Sequence, residues 1–178
     1  YAVFQSHMDA GAGEQLALQN DPRQALQQHQ LRLHYQPKFD ARRSQLRGVE
    51  ALLRWRHPTL GDVSPAQFIP VAERFGLINA LGSWVIEEAC RQMRAWLDQG
   101  LRVRVAINLS VHQLRQPDLA LKVEQVLERY RLEASMLLCE ITESVAMEDI
   151  SATQRTFDEL ARVGVYLSSD DFGTGYSS

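Results

Sequence analysis

The stretch of sequence that decides the fold is residues 103–142, VRVAINLSVHQLRQPDLALKVEQVLERYRLEASMLLCEIT. It begins and ends with apolar runs, Val103 to Leu109 and Met136 to Thr142, of the near-continuous kind found in buried parallel strands. Between these runs, apolar side chains recur at helical spacing: Leu119, Val123, Val126, Leu127 and Tyr130. A strand, a helix and a second strand in this order predict a βαβ unit.

The same alternation continues downstream. Residues Ile150 to Val163 have the pattern of a helix that ends at Gly164, and Val165 to Ser169 has that of another strand. Polar residues near the strand ends recur at a spacing typical of barrels, with 32 residues from Asn108 to Glu140. We therefore predict an α/β fold, a TIM-like (β/α) barrel. A closed barrel needs roughly 200 to 250 residues, so the chain is expected to hold its first half to two-thirds.

Two strand-like runs upstream, Leu31 to Phe39 and Leu46 to Trp55, are joined by a polar turn and predict a hairpin. The hairpin gives the barrel an antiparallel first strand. A capping box at Ser64 predicts a helix to about Phe75, and Trp84 to Leu97 predicts a second helix. We interpret residues 1–20 as the tail of a preceding domain with a linker, and residues 21–178 as the N-terminal portion of the barrel domain.

Composition restricts the partners of this chain. The net charge of -3 gives no basic footprint, which argues against polymeric nucleic acid and leaves room for a small anionic ligand. No apolar run approaches the ~20 residues of a membrane span, so this segment is not expected to contact a membrane. Cys90 and Cys139 lie in apolar patterns and indicate core thiols in a reducing, cytoplasmic compartment. A longer parent protein could still be anchored through other segments.

Polar side chains follow or end the predicted strands, and this pattern indicates chemistry. They are Glu50, Asn108, Glu140, Asp170 and Asp171. In parallel barrels the C-terminal strand ends form the active-site face. A carboxylate in an apolar strand is costly unless a cation or a donor compensates it. Carboxylates with one amide and no His or Cys suit hard cations such as Mg²⁺, Mn²⁺ or Ca²⁺.

Each of these residues also has a purely structural interpretation. Glu50 could pair with Arg54 or Arg47, and Asn108 could cap the helix that follows it. The remaining acids could be solvated strand-end or turn residues: Glu140, Glu143, Asp170 and Asp171. The repetition of one kind of position from strand to strand favours a site over these alternatives.

Several motifs occur in one characteristic order. They are YQP at 35–37, EALLRW at 50–55, SPAQFIP at 64–70, NLS at 108–110, EITES at 140–144 and DDFGTGYSS at 170–178. From about residue 25 onward the chain resembles the EAL family of bacterial cyclic-di-GMP phosphodiesterases. The first residues resemble the last strand of a GGDEF diguanylate-cyclase domain, which often precedes an EAL domain.

The resemblance implies a two-metal site that uses Mg²⁺ or Mn²⁺. Glu50, Asn108, Glu140 and Asp170 would be metal ligands, with Asp170 bridging the two metals and Asp171 contributing to the second. Glu50, Asp170 and Asp171 would serve catalysis through these metals. The implied reaction is hydrolysis of one phosphodiester bond of cyclic di-GMP to give linear pGpG.

The resemblance also implies ligand contacts. Arg54 would hold a phosphate, a task suited to its forked donors. Gln36 would contact a guanine, and the backbone of Leu53 would touch the ligand. Glu143 would anchor the loop at residues 172–178, which is linked to homodimer formation in the family.

Two departures from the family keep an alternative open. The family also uses a Lys, a Glu and a Gln on later strands that this sequence does not include, and Ser169 replaces an aliphatic residue before the Asp pair. The alternative function is a catalytically inactive EAL domain that acts as a cyclic-di-GMP receptor. We expect a piece that ends at Ser178 to be inactive by itself.

Overall fold

The computed structural model describes residues 30–40, 45–74, 76–141 and 150–169. The chain divides into two compact units. The smaller unit comprises Tyr1–Arg32 and Leu53–Leu81, and the larger comprises Leu33–Leu52 and Gly82–Ser178. Each unit is described by itself below.

The secondary structure alternates as the sequence predicts. The strands are β1 (Leu31–Asp40), β2 (Gln45–His57), β3 (Gly61–Val63), β4 (Val105–Leu109), β5 (Leu137–Ile141) and β6 (Tyr166–Ser169). The helices are α1 (Pro65–Arg74), α2 (Ile78–Asp98), α3 (Val111–Leu114), α4 (Leu119–Arg129) and α5 (Ile150–Val163). A short 3₁₀ turn, Ala134–Met136, leads into β5.

The sheet of the larger unit has the strand order β1-β2-β4-β5-β6. Strands β2, β4, β5 and β6 pair in parallel, and β1 forms an antiparallel pair with β2. Val105 lies beside Leu137, and Leu138 lies beside Tyr166. The predicted α/β fold with an antiparallel first strand is therefore confirmed.

The two faces of this sheet differ in character because side chains alternate along a strand. Odd-numbered residues of β4 and β5 are buried in one apolar cluster with the helices: Val105, Ile107, Leu109, Leu137, Cys139 and Ile141. Helix α2 contributes Ile86, Cys90 and Met93 to the same cluster, as its predicted stripe requires. Even-numbered residues occupy the opposite face, and most of the polar strand residues belong to them.

Two helices end just before a glycine. Gly100 and Gly164 have φ values of 85° and 107°, a left-handed conformation that stops a helix at low cost. Helix α2 begins at Ile78, six residues before the predicted Trp84. The predicted start was therefore too late, and the helix includes Gly82, whose missing side chain leaves room for Gln113.

The smaller unit centres on the end of β2. Trp55 to His57 pair antiparallel with Gly61 to Val63. The Trp55 ring packs edge-on against Phe68 of α1, and its Nε1 donates to Oε1 of Gln30 at 3.0 Å. His57 Nδ1 accepts the backbone N–H groups of Thr59 and Leu60 at 3.1 Å each, which fixes the turn between the strands.

Other expectations are met or fall outside the described residues. Cys90 and Cys139 are free, buried thiols, as predicted. Within the described ranges, no helix is both long enough and apolar enough to cross a membrane. The first residues, which resemble the last strand of a GGDEF domain, and the predicted domain boundary near residue 20 lie outside the described residues.

Candidate functional site

The polar face of the larger unit's sheet brings three of the predicted site residues onto one surface. Asn108 of β4, Glu140 of β5 and Ser168 of β6 are successive Cα partners, so they form one row across three strands. Glu50 is partnered by Ala106, one side-chain row below Asn108. Glu50 therefore shares the face but lies in the middle of β2, because this strand continues to His57 to pair with β3.

A lysine lies between the two carboxylates. The ammonium Nζ of Lys38, on β1, is 2.6 Å from Oε1 of Glu50 and 3.5 Å from Oε1 of Glu140. The carboxylate side chains are only 19% and 12% exposed, whereas the Lys38 side chain is 49% exposed. The lysine thus reaches in from solvent and bridges two largely buried acids.

The electrostatics of Lys38 reflect this position. The hydrogen bond to Glu50 raises the pKa of Lys38 most. Burial lowers this pKa, and the charges of Glu140 and Glu50 raise it again, so that the pKa is raised on balance. The ammonium is therefore firmly charged at neutral pH. Each carboxylate in turn has a positive partner, which offsets the cost of holding two acids on one face.

The donor set fits a hard divalent cation. Glu50, Glu140 and Asn108 offer carboxylate and amide oxygens, the ligands preferred by Mg²⁺, Mn²⁺ and Ca²⁺. The position between the carboxylates is already one that a cationic group takes. Among the residues that the structure describes, no group of three His, Cys, Asp or Glu side chains converges. The described residues thus supply part of a ligand set.

The backbone that follows Asn108 is fixed by a buried glutamine. Gln113, 3% exposed, accepts the backbone N–H of Ser110 through Oε1 at 2.8 Å. Its amide group lies against Gly82 of α2, where a Cβ atom would stand 1.7 Å from Nε2. The glycine in the helix therefore makes room for the glutamine that holds the end of β4.

The contacts of the described residues bear on the structural alternatives. Ser110, not Asn108, is positioned as the cap of α3, since its Oγ accepts the N–H of His112 at 3.1 Å. Glu140 is not a solvated strand-end acid, since only 12% of its side chain is exposed. Glu50 has an ion pair with Lys38, a partner that the sequence did not suggest.

The predicted ligand-binding residues are distributed over both units. Gln36, in the larger unit, is exposed on β1. Arg54 and Leu53 belong to the smaller unit, where Nη1 of Arg54 donates to the carbonyl oxygen of Leu53 at 3.1 Å. Both are partly buried. The remaining predicted site residues lie outside the described ranges: Glu143, Asp170 and Asp171.

Sequence reasoning missed two residues, Lys38 on this face and Gln113 beside the end of β4. Lys38 follows the YQP motif directly and has the same strand parity as Gln36, which would have placed it on the polar face. Gln113 gave no signal beyond being a polar residue before an apolar one. Its burial depends on Gly82, which is 31 residues away in the chain.

The sequence was compared with known families and proteins. Residues 19–178 match the EAL domain family model. The bifunctional diguanylate cyclase/cyclic di-GMP phosphodiesterase MucR of Pseudomonas aeruginosa is 51% identical over 179 residues, which cover 100% of this chain and 26% of MucR. The cyclic di-GMP phosphodiesterase PdeR of Escherichia coli is 39% identical, with 100% of this chain and 27% of PdeR covered. The chain thus spans about a quarter of the length of these relatives.

Solved structures give the same result for the fold. The MucR phosphodiesterase in complex with c-di-GMP superposes with a TM-score of 0.81 at 51% identity, over 90% of this chain and 66% of that one. The EAL enzyme Bd1971, with cAMP and cyclic-di-GMP bound, gives 0.81 at 29% identity, over 97% of this chain and 49% of that one. These similarities confirm the α/β architecture expected from the sequence.

Proposed function

The chain belongs to the EAL domain family, and we propose that the protein is a metal-dependent phosphodiesterase that hydrolyses cyclic di-GMP to linear pGpG. One observation carries the proposal. Glu50, Asn108 and Glu140 stand on one face of the sheet, with a cationic group between the two carboxylates. Oxygen donors arranged in this way suit a divalent cation next to a phosphate. The proposed substrate, cyclic di-GMP, is supported by the similarity of this chain to MucR and PdeR, which are named as cyclic di-GMP phosphodiesterases.

The protein's own residues would divide the work between holding metal and holding ligand. Glu50, Asn108 and Glu140 would bind Mg²⁺ or Mn²⁺, and Asp170 and Asp171 would complete a two-metal site. Such ions, when bound, activate water and neutralise charge on phosphoryl oxygens. The low exposure of Glu50 and Glu140 favours this role, because electrostatic interactions strengthen where water is excluded.

Ligand recognition would use side chains that point away from the apolar core. Arg54 would hold a phosphate, and its hydrogen bond to the Leu53 carbonyl keeps the guanidinium close to the backbone group that the ligand would touch. Guanidinium groups bind phosphate through two parallel N–H donors. Gln36, exposed on β1, would contact a guanine through its amide.

Further parts of the proposal concern the whole protein. We propose that a GGDEF domain precedes residue 21, supported by the bifunctional name of MucR. The loop at residues 172–178, anchored by Glu143, would mediate a homodimer. A reducing, cytoplasmic location is supported by the two free, buried thiols.

The test is turnover by the full-length protein. Conversion of cyclic di-GMP to pGpG, followed by chromatography, should require Mg²⁺ or Mn²⁺ and stop with chelator. Glu50→Gln should lower kcat on the order of a hundredfold or more, since a lost metal ligand removes several kcal/mol of charge stabilisation. Glu133→Gln is the matched control, because Glu133 is an exposed acid paired with Arg102. Tight binding of cyclic di-GMP without turnover would identify a receptor instead.

A further inference from the structure

We propose that Lys38 is a built-in counter-cation of the carboxylate pair, which bridges Glu50 and Glu140 in the absence of a divalent cation and is displaced when that cation binds. Lys38 would thereby weaken metal binding and stabilise the metal-free protein. The inference rests on the proposed function only in taking these acids as metal ligands. It assigns a role to a residue of β1 that lies outside the ligand set itself.

The contacts of Lys38 carry the first step. Its Nζ is 2.6 Å from one carboxylate and 3.5 Å from the other, so a single ammonium interacts with acids from two different strands. Glu50 and Glu140 lie in neighbouring rows of β2 and β5, with β4 between these strands. Two largely buried carboxylates on one face would repel each other without such a partner.

The second step is that ammonium and metal compete for the same oxygens. A divalent cation binds carboxylate oxygens at about 2.0 to 2.6 Å. An ammonium 2.6 Å from Oε1 of Glu50 would then lie in close contact with a cation on that oxygen. Like charges at such separations repel each other, and the repulsion is stronger where water is excluded. The two cations therefore exclude each other.

The third step is that Lys38 can leave. Half of its side chain is already exposed, and a lysine stem is flexible with a strongly hydrated head. The ammonium can therefore withdraw into water while Glu50 and Glu140 stay on the sheet, and the loss of its two ion pairs is what the arriving cation must offset. Lys38 supplies positive charge to the carboxylates before the exchange, and the divalent cation would supply it afterwards.

The test measures Mn²⁺ binding to the full-length protein by calorimetry and by the EPR signal of free Mn²⁺, without nucleotide. Lys38→Met, which keeps the length of the stem, should bind Mn²⁺ on the order of tenfold more tightly, because both competition and repulsion are removed. The same variant, freed of metal, should melt at a lower temperature than the wild type, and Mn²⁺ should raise its Tm by more.

Two further variants sharpen the result. Lys38→Arg keeps the charge and should bind Mn²⁺ no more tightly than the wild type. Lys122→Met is the matched control, since Lys122 is a comparably exposed lysine paired with Asp118 on α4, and its Mn²⁺ affinity should equal that of the wild type.

Unchanged or weaker Mn²⁺ binding by Lys38→Met overturns the inference, as does a wild-type protein that binds no Mn²⁺. Weaker cyclic di-GMP binding with unaltered Mn²⁺ affinity also overturns it, because Lys38 would then act on the ligand. Absence of turnover in a protein that shows the expected Mn²⁺ changes supports the inference and counts only against the phosphodiesterase function.

Discussion

Asn108 of β4 and Glu140 of β5 are Cα partners in the parallel sheet. Neighbouring strands lie about 4.8 Å apart, and partnered residues project to the same face. An amide oxygen and a carboxylate oxygen are thus close enough to bind one cation. This relationship is fixed by backbone hydrogen bonding, so loss of either side chain should leave the other in place.

The first prediction is that Asn108 and Glu140 are coupled through a metal. Asn108→Ala and Glu140→Gln should each weaken Mn²⁺ binding by about tenfold or more, and the double variant should lose less than the sum, with a coupling of roughly 0.5 to 3 kcal/mol. Calorimetric titration of Mn²⁺ into the wild type, the two single variants and the double variant gives the four affinities that this double-mutant cycle needs. Ser168→Ala, at the other neighbour of Glu140, is the control. Losses that add within about 0.5 kcal/mol would mean that the residues do not share an ion.

The second prediction concerns the close approach of Gly82 and Gln113. Gly82→Ala should lower the free energy of unfolding by about 1 to 3 kcal/mol, because the new methyl group displaces a buried amide. Displacement also breaks the hydrogen bond to the Ser110 N–H, so Mn²⁺ affinity should fall as well. Denaturant unfolding measures the first effect.

A second background separates this clash from general helix effects. In Gln113→Ala protein the obstacle is gone, so adding Gly82→Ala should stabilise α2 by up to ~1 kcal/mol through helix propensity. Ser83→Ala, at the exposed neighbouring position, should change stability by less than about 0.5 kcal/mol. Equal effects of Gly82→Ala in both backgrounds would show that Gln113 is not what the methyl group meets.

The third prediction contrasts two tyrosines. The Tyr35 ring packs edge-on against Trp96 with centroids 5.0 Å apart, and its buried hydroxyl has no hydrogen-bond partner among the described residues. Burial raises the pKa of Tyr35 far above its ordinary value. Tyr35→Phe should therefore leave stability unchanged or raise it by up to ~1 kcal/mol, since it removes an unsatisfied group and keeps the ring.

Tyr130→Phe is the matched comparison. The Tyr130 hydroxyl donates to Oε1 of Glu87 at 3.2 Å, so its removal should cost roughly 0.5 to 1.5 kcal/mol. Thermal unfolding of both variants measures whether each substitution raises or lowers the stability of the protein. A loss from Tyr35→Phe as large as that from Tyr130→Phe would contradict the interpretation of Tyr35.

The fourth prediction concerns the thiols. Burial raises the pKa of both Cys90 and Cys139 from 9.0 to about 12. Their native pKa values exceed those of the unfolded chain, so this contribution to stability is complete below pH 9 and is lost as the pH rises toward 12. At pH 8, iodoacetamide followed by peptide mapping should modify neither thiol unless denaturant is present. Rapid labelling of the native protein would show that the core opens readily.

Much of the fold is readable from the sequence because it depends on local periodicity. Helix α5 has the predicted bounds, Ile150–Val163, and β2 and β4 to β6 pair in parallel as the apolar runs indicate. The start of α2 was not predicted, because Gly82 lies inside that helix, where the close approach of Gln113 leaves no room for a side chain. Local propensity carries no information about such a partner.

The candidate site, like the fold, could be predicted from the sequence only in part. The residues Glu50, Asn108 and Glu140 follow from their strand positions, and the structure places them on one face. The ion pair between Glu50 and Lys38 was not predicted, because β1 brings Lys38 close by pairing with β2 and the residues adjacent to Glu50 in the chain do not indicate it. Asp170 and Asp171 remain predictions.

The alternation of faces in β4 and β5 has a consequence for how this domain can evolve. Odd positions such as Ile107 and Cys139 are held by the core, while even positions such as Asn108 and Glu140 lie on the face that we propose carries the chemistry. Selection for foldability and selection for activity therefore act on different residues of the same strands. In a saturation library across either strand, tolerance to substitution should alternate from residue to residue. Substitutions at odd positions should be selected against in a screen for stability, and substitutions at even positions should be selected against in a screen for signalling output. Activity can then be lost or retuned in a lineage while the scaffold persists.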